Sequence, residues 1–502
     1  MHIALRMFYG SEFGPFAHLR PAKLHMPNVH HFSLSSLFMC GSAIIVFPNH
    51  QEQTMTDRMR FLPLLLLFAS AMATLQAQTS AGNVTSPTTA AATSAPAGAD
   101  STSAPIVEYA PPPAEYARAK AYSNAHYRHF FFDAFYGFLV LFVLLRWRLA
   151  PAFRNLAERV STRRLVQLVV FAPLLLLTIA ILGIATDIKD QSLLRAYGLS
   201  VQDWGPWLRD WILNQALMLI VGTLLVGILY AVVRRSPKRW WFYFWIASIP
   251  VLLAIFFLQP IVIDPLFYTF KPLQTVQPVL LSEMQKVVHR GGMEIPADRM
   301  FVMNASSKQT GLNAYVTGFG ASKRVVVWDN TIAKATVPET LFVFGHEMGH
   351  YVLLHIPKEI SIDAAILLFL LYLGYRLSNG MLARWGAKWG IRDLQDWASL
   401  PVLIFVITAL AFLATPAFNA VSRHFEHEAD RYGLEVIHGI VPDPNQVAAH
   451  YFEKSGETNL SDPDPNTFIK VWFYDHPTRP ERVHFVATYD PWSKGKAPKY
   501  VK

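Results

Sequence analysis

The sequence predicts a mainly α-helical, polytopic membrane protein with about six transmembrane helices and a mixed region carrying a small β-sheet. Three observations predict it. The chain is 52% hydrophobic and only 16% charged, too apolar and too poor in charge for an ordinary soluble protein. Six long apolar runs follow residue 129, most of them approaching the ~20 residues that cross a bilayer. Between Phe267 and Leu341 the chain turns soluble and mixed, with short strand-like stretches.

Residues 1 to 54 show no clear periodicity, and the apolar stretch Leu34 to Phe47 is too short to span. Met55 to Arg60 is a short basic start, Phe61 to Leu75 an apolar core, and Leu75-Gln76-Ala77 ends on a small residue. That pattern is a secretory signal peptide. We therefore expect translation to begin at Met55 or Met59, with residues 1–54 a non-structural extension; the alternative is that residues 55–77 stay as an uncleaved anchor. Residues 78 to 113 are rich in Ser, Thr, Ala and Pro and read as a disordered linker.

The apolar runs are Phe130 to Leu145, Leu165 to Ala185, Trp211 to Val233, Trp240 to Ile263, Ile362 to Tyr375 and Trp397 to Phe418. The first and fifth are short. Pro173, Pro250 and Pro401 lie inside or near the ends of three of them, which membrane helices tolerate. In the mixed region, Met300 to Met303, Leu312 to Thr317 and Arg324 to Trp328 read as strands. Residues 318 to 323 form a glycine-containing hairpin loop between the last two. Beyond Asp430 the pattern suggests short helices to about Val486 and a frayed Lys-rich tail.

Chemistry concentrates in His346-Glu347-Met348-Gly349-His350, an HExxH. Residues at i and i+4 share a helical face, so His346 and His350 can bind one ion. Glu347 lies beside that face, placed to act as general base. Thr336 and Glu339 form a capping box, with Pro338 in the first turn. Two histidines do not complete a catalytic zinc site, which takes three protein ligands. The best third candidate is Glu426, with Asp430 one turn on to accept a hydrogen bond from a ligating imidazole. His424, His427 and Glu428 are rivals, and a charged amphipathic face is an equal reading of the spacing. His355 lies off the face of His350 and reads as a helix-end residue. With Cys40 the only cysteine, no disulfide and no cysteine-based zinc site forms within the chain. The net charge of +9 sits mostly in short loops between apolar segments, so no nucleic-acid partner is expected.

GHEMGH followed by S-R-x-F-E-x-x-A-D resembles the type I CAAX prenyl proteases, membrane-embedded gluzincins, and their bacterial relatives. Gln259 to Phe267, Asn313-Ala314-Tyr315 followed by Gly318-Phe319-Gly320, and His476-Pro477 with Glu481-Arg482 resemble three further motifs of that family in the same order. The likeness covers about residues 115 to 485. It implies helices enclosing a hydrated chamber, with a transmembrane domain over 114–266, a zinc metalloprotease domain over 267–490 containing two more spans, and a tail over 491–502. It implies one Zn2+ per chain on His346, His350 and Glu426, with Asp430 bonded behind them. His476, supported by Arg482, would stabilise the oxyanion. Asn313, Ala314 and Tyr315 would lie on an edge strand that pairs with a peptide or protein substrate. The eukaryotic members have seven membrane helices, one more than is predicted here.

The loops after the first, third and fifth helices hold 14 of the Arg and Lys residues between them, all on one side of the membrane. The positive-inside rule makes that side cytoplasmic. The catalytic domain then faces the periplasm of a bacterial inner membrane, whereas the eukaryotic enzymes face the cytosol. An outward site favours membrane-protein processing or quality control, as by an HtpX-like heat-shock protease, over prenylated substrates. A non-catalytic scaffold or transporter is the reading of another class. Intact Glu347 argues against the scaffold, and the absence of a charged pathway, with Asp133 and Asp363 near helix ends, against the transporter.

Overall fold

The computed structural model describes residues 105–317 and 324–501. The extension, the signal-like segment, most of the linker and the hairpin loop at 318–323 lie outside the described residues.

Among the described residues, six helices are long and apolar enough to cross a membrane. Four precede the sheet: α1 (Pro113–Arg146), α3 (Arg164–Ala196), α4 (Trp204–Arg235) and α5 (Trp240–Leu258). A shorter amphipathic helix, α2 (Leu149–Val160), lies between the first two. The helix α5 runs on through a π-turn at Gln259–Ile263 into the short turn Asp264–Phe267. The two short apolar runs belong to helices of 34 and 35 residues. A helix of that length spans about 50 Å, well beyond the ~30 Å hydrocarbon core, so its polar ends project from the membrane. The projecting start of α1 reaches the C-terminal region, where Lys120 and Tyr127 both bond Asp462.

The mixed region folds as a four-stranded sheet of β1 (Phe270–Pro272), β2 (Met300–Met303), β3 (Ala314–Thr317) and β4 (Arg324–Trp328), in the order β1-β2-β4-β3. β2 and β4 are parallel and the other pairs antiparallel. Three strands match the sequence reading, with β3 two residues shorter. β1 is an addition: three residues ending on Pro272 carry no alternation to detect. The α6 helix (Pro278–Arg290) lies between β1 and β2 in the chain, and α7 (Asp329–Lys334) follows β4.

The metal-site helix is α8 (Val337–Val352), and α9 (His355–Trp389) follows across Leu354, whose φ of 55° breaks the helix. The last span starts in a 3-10 turn at Trp397–Ser399 and becomes α10 (Leu400–Ile437). The apolar run Trp397 to Phe418 and the charged stretch around Glu426 are therefore one unbroken helix. It is also the central one: its membrane window is 61% buried within the protein, against 17–33% for the other five. Three helices complete the chain, α11 (Pro444–Thr458), α12 (Thr467–Phe473) and α13 (Arg479–Thr488).

The tail does not fray. The backbone N–H groups of Lys499, Tyr500 and Val501 all donate to the buried carboxylate of Glu435, at 2.6–3.0 Å. Lys499 Nζ also reaches Glu428 at 3.0 Å. Composition could not reveal this, because the acceptors lie some 65 residues away.

The three basic loops meet at one end of the bundle. Arg154 pairs with Asp396. Arg148 donates to the Lys388 carbonyl at 3.0 Å, Arg392 bonds Glu158 through both oxygens, and Arg234 donates to the Gln395 carbonyl at 3.2 Å. The sheet and the C-terminal helices lie at the opposite end.

Candidate metal centre

Helix α8 starts with the expected capping box. The Thr336 N–H donates to Glu339 at 2.7 Å, and the Glu339 N–H returns to the Thr336 hydroxyl at 3.3 Å. Every residue from Glu339 to His350 is buried, so the apolar run and the HExxH share one core helix. It packs along α10 through small residues. A Cβ on Gly433 would stand 3.0 Å from the His346 backbone nitrogen, and one on Gly349 would stand 3.2 Å from Ala429 Cα. Gly345-xxx-Gly349 on α8 thus faces Ala429-xxx-Gly433 on α10, a small-residue pattern that lets backbones approach. That spacing was in the sequence and the motif reading passed over it.

The close approach brings three ligand groups together. His346 Nε2 and His350 Nε2 lie 3.3 Å apart. The Glu426 carboxylate lies 3.2 Å from the first and 3.4 Å from the second. Ligands on a tetrahedral ion at about 2.0–2.2 Å stand roughly 3.3–3.5 Å from one another, so the residues present fit a metal. Among the described residues no other His, Cys, Asp and Glu group converges in this way. The rivals are elsewhere. His424 is an exposed side chain, His427 packs on Phe485, and Glu428 holds Lys499 and lies 3.4 Å from His355. His355 is fully buried at the start of α9, its ring edge-on to His350 and stacked on Phe425.

Asp430 lies behind the ligands. Its Oδ1 is 2.8 Å from His346 Nδ1, and Arg482 Nε donates to its Oδ2 at 2.9 Å. That leaves His346 Nε2 free to point at the metal position. Arg482 is on α13, whose own capping box joins Thr478 and Glu481, and its guanidinium covers the Phe452 ring at 4.2 Å. His476 precedes that helix. Its Nε2 lies 3.1 Å from Glu426, and its Nδ1 lies 2.9 Å from Asp475. Asp475 was not anticipated; only its place next to the histidine could have suggested it.

Charge follows this geometry. Burial alone would depress His346, but its bonds to Asp430 and Glu426 outweigh it and hold the imidazole up at about 9. Burial lowers His350 to about 3. Burial also pushes the Glu347 carboxyl up to about 8, and its Oε2 has no hydrogen-bond partner among the described residues. A divalent cation alongside would pull that carboxyl back toward the charged form.

Asn313, Ala314 and Tyr315 lie at the start of β3, an edge of the sheet packed against α8. Ala314 pairs with Val327 and Tyr315 with Val326. The Asn313 backbone is fixed at both groups by the Thr331 hydroxyl, at 2.7 Å each. Its side-chain Nδ2 is buried and has no partner among the described residues.

Two histidines of one buried helix and a glutamate of a membrane-crossing helix, on six candidate spans, define a membrane metallopeptidase. Comparison with known proteins agrees. Residues 275–490 match the model of peptidase family M48, and residues 103–269 match the CAAX prenyl protease N-terminal model, described as five membrane helices. This chain has four candidate spans over that second region. An uncharacterized metalloprotease of Bacillus subtilis, YhfN, is 33% identical over 74% of this chain and 85% of its own length. The CAAX prenyl protease 1 homolog of Oryza sativa subsp. japonica is 27% identical over 57% of this chain and 65% of that relative. The crystal structure of S. mikatae Ste24p superposes with a TM-score of 0.66 at 20% identity, covering 78% of this chain and 93% of the other. The chain belongs to peptidase family M48, whose chemistry implies a metal at this centre.

Proposed function

We propose that this metallopeptidase is a zinc endopeptidase that cuts peptide or protein substrates at the membrane surface. The observation that carries the reading is the convergence of His346, His350 and Glu426 to 3.2–3.4 Å, with the unpartnered Oε2 of Glu347 alongside. When bound there, zinc supplies Lewis acidity to the scissile carbonyl and to the attacking water. Glu347 takes the proton from that water and hands it to the leaving amine. Asp430 and Arg482 hold His346 in one tautomer and one orientation. His476, with Asp475 2.9 Å from its Nδ1, is the donor for a developing oxyanion from Nε2. Arg482 supports that end of the site through Asp430. The edge strand β3 aligns an extended peptide, and the Asn313 amide is a donor ready for it.

The test is cleavage of a peptide library by detergent-purified protein, wild type beside Glu347→Gln, with zinc measured in both. Cleavage by the wild type alone, with zinc in both, is expected. Wild type purified under metal-replete conditions without zinc would undo the ligand assignment.

The relatives named CAAX prenyl protease 1 suggest C-terminal processing of prenylated proteins. The gathering of the basic loops at the end away from the sheet supports a periplasmic site in a bacterial inner membrane instead, and with it processing or quality control of membrane proteins. A reporter active only in the periplasm, fused after Lys502, is expected to be active; a silent but intact fusion sinks this orientation.

A further inference from the structure

Two buried ion pairs run from the membrane helices to the two ends of the β3–β4 unit. At one end, Arg324 opens β4 opposite Thr317. Its guanidinium donates to Asp264 at 2.5 Å and to the Pro260 carbonyl at 3.0 Å, and it covers the Phe270 ring at 5.1 Å. Both acceptors lie where α5 passes through its π-turn into the short turn beyond. At the other end, Lys308 leads into β3. Its Nζ lies 3.5 Å from Asp210 of α4 and 4.3 Å from the Tyr268 ring centre. The same lead-in is stitched to the loop between α3 and α4. The Val201 N–H donates to the Lys308 carbonyl at 3.0 Å, and the Thr310 N–H to the Leu199 carbonyl at 3.2 Å. All four charged side chains are at least 86% buried.

Buried pairs of this kind add little stability over an apolar substitute, but they hold one geometry. Here one acts between a membrane helix and β4, which pairs along its length with the strand beside the metal helix, and the other between a membrane helix and the lead-in to that strand. Apolar contacts would let that strand slide along the bundle; a two-pronged arginine bound to a carboxylate and a carbonyl does not. We propose that Arg324 with Asp264, and Lys308 with Asp210, are positioning pairs through which the membrane bundle sets the place of the peptide-binding strand relative to the metal centre. This rests on β3 being the strand that takes the peptide.

The experiment compares KM, kcat and metal content of Arg324→Met, Arg324→Lys and Asn313→Ala on the one internally quenched peptide that wild type cleaves best. Arg324→Met raises KM about ten-fold, with kcat and metal content within about two-fold of wild type. Arg324→Lys, which keeps the charge and loses the fork, recovers part of that. An unchanged KM in Arg324→Met overturns the proposal, as does joint loss of metal and binding, which would make the pair a plain part of the fold. If Arg324→Met does not yield folded protein, Asp264→Asn, which keeps the shape and an acceptor, carries the same comparison. Asn313→Ala separates the two readings. If it binds peptide as wild type does, the strand assignment itself has failed. If it weakens binding while Arg324→Met does not, the strand assignment stands and the positioning pairs fall.

Discussion

Behind His346 the Asp430 carboxylate is engaged at both oxygens, one by the imidazole and the other by Arg482. By contrast, Glu347 Oε2 and Asn313 Nδ2 are buried and have no partner among the described residues. Native proteins rarely leave buried polar atoms unpaired. The half of the site that must not move is closed on itself. On the proposed function, the half that meets a changing substrate keeps a donor and an acceptor open, at a cost in stability of about 1–3 kcal/mol per group.

That contrast can be broken from either side. The largest effect is expected for Glu347→Gln, which removes the open carboxylate and leaves the ligands alone: kcat falls by about 10²–10⁴-fold with metal content unchanged. Next is the pH dependence of metal uptake. His346 stays up at about 9 without metal, so below that pH a proton must leave before it can bind. A group that sheds its proton on binding gives an affinity that rises with pH and levels off above its own pKa. Apparent zinc affinity in chelator competition is thus expected to climb about ten-fold per unit between about pH 7 and 9. A flat profile would show that His346 is not held charged.

Asp430→Asn opens the closed half. Zinc affinity drops about 10–100-fold, an effect absent from Asn313→Ala. Gly433→Ala presses a methyl group onto the His346 backbone and costs about 1–3 kcal/mol of stability, read by thermal unfolding of the metal-loaded protein. Asn313→Ala is the smallest: KM for a cleaved peptide rises roughly two- to ten-fold, the worth of one hydrogen bond. If Asn313→Ala instead strips the metal, the two halves are not separate.

Six apolar runs announced the six candidate spans, because a bilayer leaves no other way to bury such segments. Their true lengths were hidden, since α1 is helical well before its apolar run begins and α10 stays helical after its own run stops. His346, Glu347 and His350 were legible because one helical turn fixes their spacing. Glu426 was not, since its partners lie 76 and 80 positions earlier and His424, His427 and Glu428 fit the local pattern equally well; only the family likeness chose among them. The burial of His355 and the anchoring of the tail on Glu435 depend on helices meeting in space, which no local pattern encodes.

The crossing of α8 and α10 has a consequence for tracing descent. The spacing of the ligands depends on side chains that are missing at Gly345, Gly349 and Gly433. A descendant could keep both histidines and Glu426 and still hold them less firmly around a metal, simply by acquiring alanine at one of those positions. When sequences of this kind are sorted into working enzymes and relics, the glycines should carry as much weight as the histidines.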